Sequence, residues 1–257
     1  MRHRADGMAE HAPKAQGAIH MRHQAQAAAM GALLLILGGA GGVLAQDTFK
    51  PDPKASYFVT SVGLGKGGDL GGLGGADVHC SNLAQAAGIT GKTWHAYLST
   101  SAPGGVNARD RIGKGPWYNV KGVMVASSVD DLHSANNKLK KENSLTERGG
   151  TVNGIGDTPN THDMLTGTND QGTVQMPMPI PPPPGSPAGT PNLPPPENMT
   201  CNNWTSSGPN RAMLGHMDRK GAGASGSSWV AAHASRGCSA PELVVSGGAG
   251  LYYCFAS

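Results

Sequence analysis

Histidine and cysteine are the side chains of this 257-residue chain that could do the most chemistry. Four of the ten histidines lie before residue 45, which leaves His79, His95, His133, His162, His216 and His233. Zinc sites announce themselves as H-E-x-x-H, H-x-H or paired C-x-x-C, because such spacings place two ligands on one face of a helix or in one turn. None of these occurs, so the sequence assigns no metal ligands. Cys80, Cys201, Cys238 and Cys254 are an even set, which in an exported protein reads as two disulfides. Four cysteines allow three pairings, and sequence arithmetic alone does not choose among them.

Other motifs fail on context. Gly63-Leu-Gly65-Lys-Gly-Gly68 satisfies G-x-G-x-x-G after a strand-like segment, but seven more residues and five further glycines precede the next helical pattern. Gly88-Ile-Thr-Gly91-Lys92-Thr93 resembles half a P-loop, yet Ala86 stands where the first glycine belongs, and the segment leaves a helix instead of entering one. No G-x-S-x-G elbow is present. A carboxylate pair for glycan hydrolysis would meet only in three dimensions, and no pair stands out. The expectation is therefore no enzyme and no catalytic residue.

Two segments offer ligand-binding side chains. Asp163, Asn169 and Asp170 carry hard oxygen donors of the kind calcium uses, although their spacing is not that of an EF-hand loop. Asn202 and Asn203 stand beside Trp204, a pairing of amide and aromatic face that suits a sugar. The competing reading is structural: Asn and Asp satisfy turns, and tryptophans near cysteines fill cores. Trp94, Trp117, Trp204 and Trp229 are accordingly expected as structural anchors. No cofactor is expected, calcium being the one ion that these oxygens suggest.

The elements that must position these residues follow a leader. Met21-Arg22-His23 opens a basic stretch, Ala27 to Leu44 is apolar, and Val43-Leu44-Ala45 offers small residues for cleavage after Ala45. Residues 1–45 are thus read as an N-terminal extension plus signal peptide, the protein as periplasmic or secreted, with no retained membrane span. Cutting there removes Arg2, Arg4, Lys14 and Arg22 together with Asp6 and Glu10, leaving 16 basic and 15 acidic side chains. A net charge of +1 gives no argument for nucleic acid. Residues 46–56 read as a flexible lead-in and 57–257 as one domain.

Within it, Tyr57 to Val62 reads as a strand, and a helix is expected over 76–87, favoured at its start by Asp77 and stopped at Gly88. Trp94 to Ser99 alternates as a strand. Ser127 or Ser128 can cap a second helix over 129–139. Prolines crowd a segment at about 174–197, read as a surface insertion that cannot join a regular core. Leu243-Val-Val245 and Leu251 to Phe255 suggest a closing hairpin through Gly247-Gly248.

Several blocks in order resemble the endostatin domain of the collagen C-terminal region. They are Gly75-Ala-Asp77-Val-His-Cys80, Ala87-Gly88-Ile-Thr-Gly91, Ala96-Tyr97-Leu98-Ser99 and Ala108-Arg109-Asp110-Arg111. Pro116-Trp117-Tyr-Asn119, Leu165-Thr-Gly167-Thr-Asn-Asp170-Gln-Gly172, Cys201-Asn-Asn-Trp204-Thr205 and Tyr252-Tyr-Cys254-Phe255 continue them over most of residues 57–256. The resemblance implies an α+β, C-type-lectin-like fold with twisted antiparallel strands, two main helices and long loops. It also implies the nested disulfides Cys80–Cys254 and Cys201–Cys238, and no enzymatic activity. The zinc histidines and clustered heparin-binding arginines of endostatin have no counterparts here, and the E-P-N or Q-P-D and W-N-D calcium motifs of true lectins are absent. The resulting expectation is a non-catalytic lectin-like domain that recognises an envelope glycan or an extracellular protein. The alternatives are a structural, adhesion or display module without a small-molecule ligand, and behind it a carboxylate-based glycan hydrolase.

Overall fold

Leu251-Tyr-Tyr-Cys-Phe255 is apolar without a break, the pattern of a strand covered on both faces. In the computed structural model, which describes residues 49–257 apart from 102, 178, 180, 181, 183, 184, 195 and 196, this segment lies in the long strand β8 (Gly248–Ala256). Around it stand β1 (Tyr57–Val59), β2 (Trp94–Ala96), β5 (Asp163–Leu165), β6 (Met213–His216) and β7 (His233–Ala234). The sheet runs β1-β8-β5-β6-β7, with β2 also paired to β8. It is mixed: β5 is parallel to β8, and the other pairs are antiparallel. A separate ribbon joins β3 (Trp117–Tyr118) to β4 (Met124–Ala126).

Strand alternation sorts side chains into two cores. Phe58, Ala96, Leu165, Leu214, Tyr252 and Cys254 face one layer, with Cys80, Trp94, Trp204 and Leu243. Tyr57, Val59, Met164, Leu251, Tyr253 and Phe255 face the other, with Trp117, Leu132 and Trp229. All four tryptophans are buried. The disulfides are Cys80–Cys254 and Cys201–Cys238, one nested inside the other. Residues 46–257 form one compact unit, and the leader expected over 1–45 lies outside the described residues. Among the described residues no helix is long and apolar enough to cross a membrane.

The helices depart from expectation. The helix α1 (Gly72–Ala86) begins four residues early, and Asp77 sits inside it. The Asp77 carboxylate accepts from the Ala96 N–H at 2.8 Å and from Arg111 at 2.7 Å, tying α1 to β2 and to α2 (Ala108–Arg111). The short α3 (Val129–Leu132) is capped by Ser128 as expected but stops at Leu132, whose carbonyl accepts from the Asn137 amide. Thr200 caps α4 (Cys201–Trp204), a four-residue turn in which every φ is positive. The expected hairpin through Gly247-Gly248 is instead α5 (Ala240–Ser246) followed by β8. Ser239 and Glu242 form a reciprocal capping box, and Gly247 closes the helix in the left-handed region.

Candidate metal centre

Sheet register builds the site. Asp163 of β5 lies opposite His216 of β6, and His233 of β7 lies opposite Leu214. Leu214 and His216 share a face because they are two residues apart, so Asp163, His216 and His233 project to the same side. His162 precedes β5 and escapes the alternation. Its ring stacks on that of His216, with centroids 4.1 Å apart and 17° between the planes. Three Nε2 atoms thereby surround one carboxylate oxygen: His216 at 3.2 Å, His162 at 3.3 Å and His233 at 3.5 Å from Asp163 Oδ1.

The remaining ring nitrogens are committed elsewhere. His162 Nδ1 lies 2.9 Å from Asp218 Oδ1, His216 Nδ1 lies 2.8 Å from the Gly226 carbonyl, and His233 Nδ1 lies 3.1 Å from the Ala234 carbonyl. These contacts orient the three rings with their Nε2 atoms toward Asp163, the arrangement by which outer partners position metal-binding imidazoles. Asp218 is itself held by the Ile155 and Lys220 N–H groups at 2.8 and 3.1 Å. Glycine is required where the backbone closes on the site. A Cβ on Gly248 would stand 3.0 Å from the Asp163 Cβ, and one on Gly221 would stand 2.7 Å from the His216 ring.

Both oxygens of Asp163 and Nε2 of His216 are buried without a hydrogen-bond partner. At 3.2–3.5 Å the imidazole contacts are long for a hydrogen bond to a carboxylate. Burial pushes the Asp163 carboxyl upward, but His216, His233 and His162 outweigh it and hold the group below its ordinary value. In return Asp163 raises His233 against the effect of its partial burial. Burial likewise opposes ionisation of Asp218, and His162 with the two backbone donors overcomes it.

Compared with family models and with curated proteins, the chain matches none. The centre is therefore judged on its own chemistry. The donor atoms of His162, Asp163 and His216 lie within 4.8 Å of one another, close enough to hold one metal ion. Imidazole nitrogen with a single carboxylate suits zinc, copper, nickel or iron, whereas calcium and magnesium take oxygen ligands.

This cluster corrects the expectation of a non-catalytic lectin-like module with neither cofactor nor enzymatic chemistry. Its nitrogen donors suit a transition metal and not the calcium that the oxygen-bearing residues suggested. A cation held here would act as a Lewis acid.

Of the five candidate ligand residues, only Asp163 enters the centre. Asn169 organises its own turn, its Oδ1 accepting from the Gln171 and Thr173 N–H groups at 3.0 and 3.1 Å. Asp170 is exposed, accepts from the Ser228 hydroxyl at 2.6 Å and lines a surface pocket of about 280 Å³ with His133, Arg219 and Trp229. Asn203 Oδ1 accepts from the Ser101 N–H and hydroxyl at 2.7 and 2.9 Å, and Asn202 donates to Thr205 Oγ1 at 3.3 Å. His162, His216, His233 and Asp218 were missed because the intervals separating His162 from His216 and His216 from His233 match no local motif.

Proposed function

We propose that the chain is an exported, disulfide-stapled domain built around a mononuclear transition-metal centre, with His162, Asp163, His216 and His233 as ligands and zinc as the fitting ion. One observation carries this reading: three Nε2 atoms lie 3.2–3.5 Å from one buried carboxylate oxygen, which has no hydrogen-bond partner among the described residues. The donor atoms of His162, Asp163 and His216 lie within 4.8 Å of one another, and His233, 3.5 Å from Asp163 Oδ1, would supply the fourth position of a tetrahedral zinc shell. Export is supported by the basic and apolar leader and by two disulfides, which persist in oxidising compartments. The fold is proposed as endostatin-like within the C-type-lectin-like group, on the ordered sequence blocks and the nested disulfides. The centre is distinct from the endostatin zinc histidines, which have no counterpart in residues 46–56.

The test is calorimetric titration of metal-stripped, disulfide-intact protein with zinc, alongside absorption spectroscopy with cobalt(II), whose bands report tetrahedral nitrogen and oxygen coordination. One equivalent should bind, and His216→Ala should abolish binding. No uptake by the wild-type protein would end the proposal.

A further inference from the structure

The four ligands of the proposed centre are not held alike. The side chains of Asp163, His216 and His162 are 0%, 5% and 6% exposed, whereas that of His233 is 40% exposed. Its Nε2 is also the farthest from Asp163 Oδ1. The outer partner differs too. Asp218 and Gly226 reach His162 and His216 from distant positions in the chain, but the Nδ1 of His233 meets only the carbonyl of its own neighbour, Ala234, at 3.1 Å. Finally, His233 stands on a two-residue strand at the edge of the sheet, with β6 on one side alone.

Resting on the metal-centre reading, we propose that His233 is an exchangeable ligand whose departure opens one solvent-facing coordination position for water, hydroxide or another small monodentate anion. The backbone around it does not need to move. The Ala232 N–H donates to the Leu214 carbonyl at 2.7 Å and the Ser235 N–H to the Ala212 carbonyl at 2.8 Å, pinning the strand on either side. Rotation about the side-chain torsions of His233 is sufficient, and its exposed edge gives the ring somewhere to go. The exchange breaks one metal–nitrogen bond and forms one metal–oxygen bond, with no change of oxidation state. His162, Asp163 and His216 then form the three-ligand shell with a fourth, open position that characterises catalytic zinc. Water bound there has its pKa lowered toward neutrality and becomes a nucleophile for hydrolytic chemistry.

Azide is the probe, added to cobalt(II)-loaded, disulfide-intact wild type, His233→Ala and His216→Ala. His233→Ala should keep one equivalent of cobalt with affinity reduced by no more than about 100-fold, the scale of supporting rather than essential ligand contacts. Its spectrum should respond to azide at concentrations at least tenfold lower than the wild-type spectrum, because no imidazole competes for the position. His216→Ala should lose the metal. Loss of cobalt from His233→Ala as complete as from His216→Ala would make His233 a fixed structural ligand and overturn the proposal. So would azide acting equally on wild type and His233→Ala, or on neither. Failure of the wild type to take up cobalt is a separate result, which would remove the metal centre itself.

Discussion

Asp163→Asn separates a metal centre from a buried ion pair, because only a metal centre makes the effect of the carboxylate depend on added zinc. The substitution preserves shape and removes the charge. Without metal, the wild-type carboxylate has both oxygens buried and unpartnered, and each unmade bond of that kind costs about 1–3 kcal/mol. The imidazoles outweigh that cost and hold the carboxyl below its ordinary value, so in chelator the variant should lose about 1–3 kcal/mol. With zinc at about 100 times its dissociation constant, linkage adds about 2.7 kcal/mol to the wild type alone. For a domain of about 200 residues that corresponds to a rise in Tm of roughly 5–10 °C. Thermal unfolding of both proteins, with chelator and with zinc, should therefore show the gap between them narrow on metal removal. If the cluster were a buried ion pair, Asp163→Asn would lose about 3–5 kcal/mol in chelator and zinc would leave the wild type unchanged. That outcome would refute the reasoning.

Asp218→Ala should lower zinc affinity by about 10–100-fold in calorimetry by releasing His162 Nδ1, and unchanged affinity would show that the ring orients itself. Replacing Cys80 and Cys254 by serine should lower the urea midpoint more than replacing Cys201 and Cys238. Closures of 174 and 37 residues are worth about 5 and about 4 kcal/mol on the chain-entropy model, and the reverse order would count against that account. Burial holds His133 below the usual imidazole range against the pull of the Val129 carbonyl, with Tyr97, Arg109 and Asp130 around it. The unfolded chain then protonates first, so this contribution is full above about pH 6.5 and declines below it. His133→Gln should flatten the loss of metal-free stability between about pH 7 and 5, and an unaltered slope would refute the assignment. Replacing residues 176–195 by a short Gly/Ser linker should preserve both disulfides and a cooperative transition. Before the segment, the Gln175 N–H donates to the Gly167 carbonyl, and after it the Met213 N–H donates to the Met199 carbonyl, so loss of cooperativity would make the segment part of the core.

Much of the fold was legible wherever a local pattern and its tertiary role agreed. Trp94-His-Ala alternates in the sequence and alternates in burial, and Ser128 caps α3 as its position suggests. Two misreadings have definite causes. Gly71-Gly-Leu-Gly-Gly75 looks like loop by composition, yet α1 begins at Gly72, and the glycine at 75 answers to packing: a Cβ there would stand 2.0 Å from the Leu70 carbonyl oxygen. Leu243-Val-Val245 has strand-like residues, but its surroundings are those of a helix. Ser239 and Glu242 stand at capping-box spacing, Pro241 occupies the first turn and Gly247 follows the last. The boundary residues outweighed the β-branched interior, and Val244 and Val245 remain exposed on the resulting helix.

The metal centre was illegible for a different reason. Its ligands become neighbours only through β5–β6 and β6–β7 pairing, and register between strands distant in sequence leaves no mark on local spacing. A weaker signal was nevertheless present. Asp163 begins an apolar strand, Asp163-Met-Leu165, and His216 ends another, Met213-Leu-Gly-His216. Ionisable groups on strands buried along their whole length need partners, because an isolated charge in the interior is prohibitively costly. That requirement could have nominated the pair without naming what satisfies it. The partners of Asp163 are three imidazole Nε2 atoms at 3.2–3.5 Å, and the Nδ1 of each ring is taken by another acceptor. Imidazoles stabilise a buried carboxylate where a proton lies between them, whereas metal ligands bind deprotonated. A divalent cation would take the place of those protons, so the atoms that hold Asp163 ionised are the same atoms that would ligate the metal of the proposed centre.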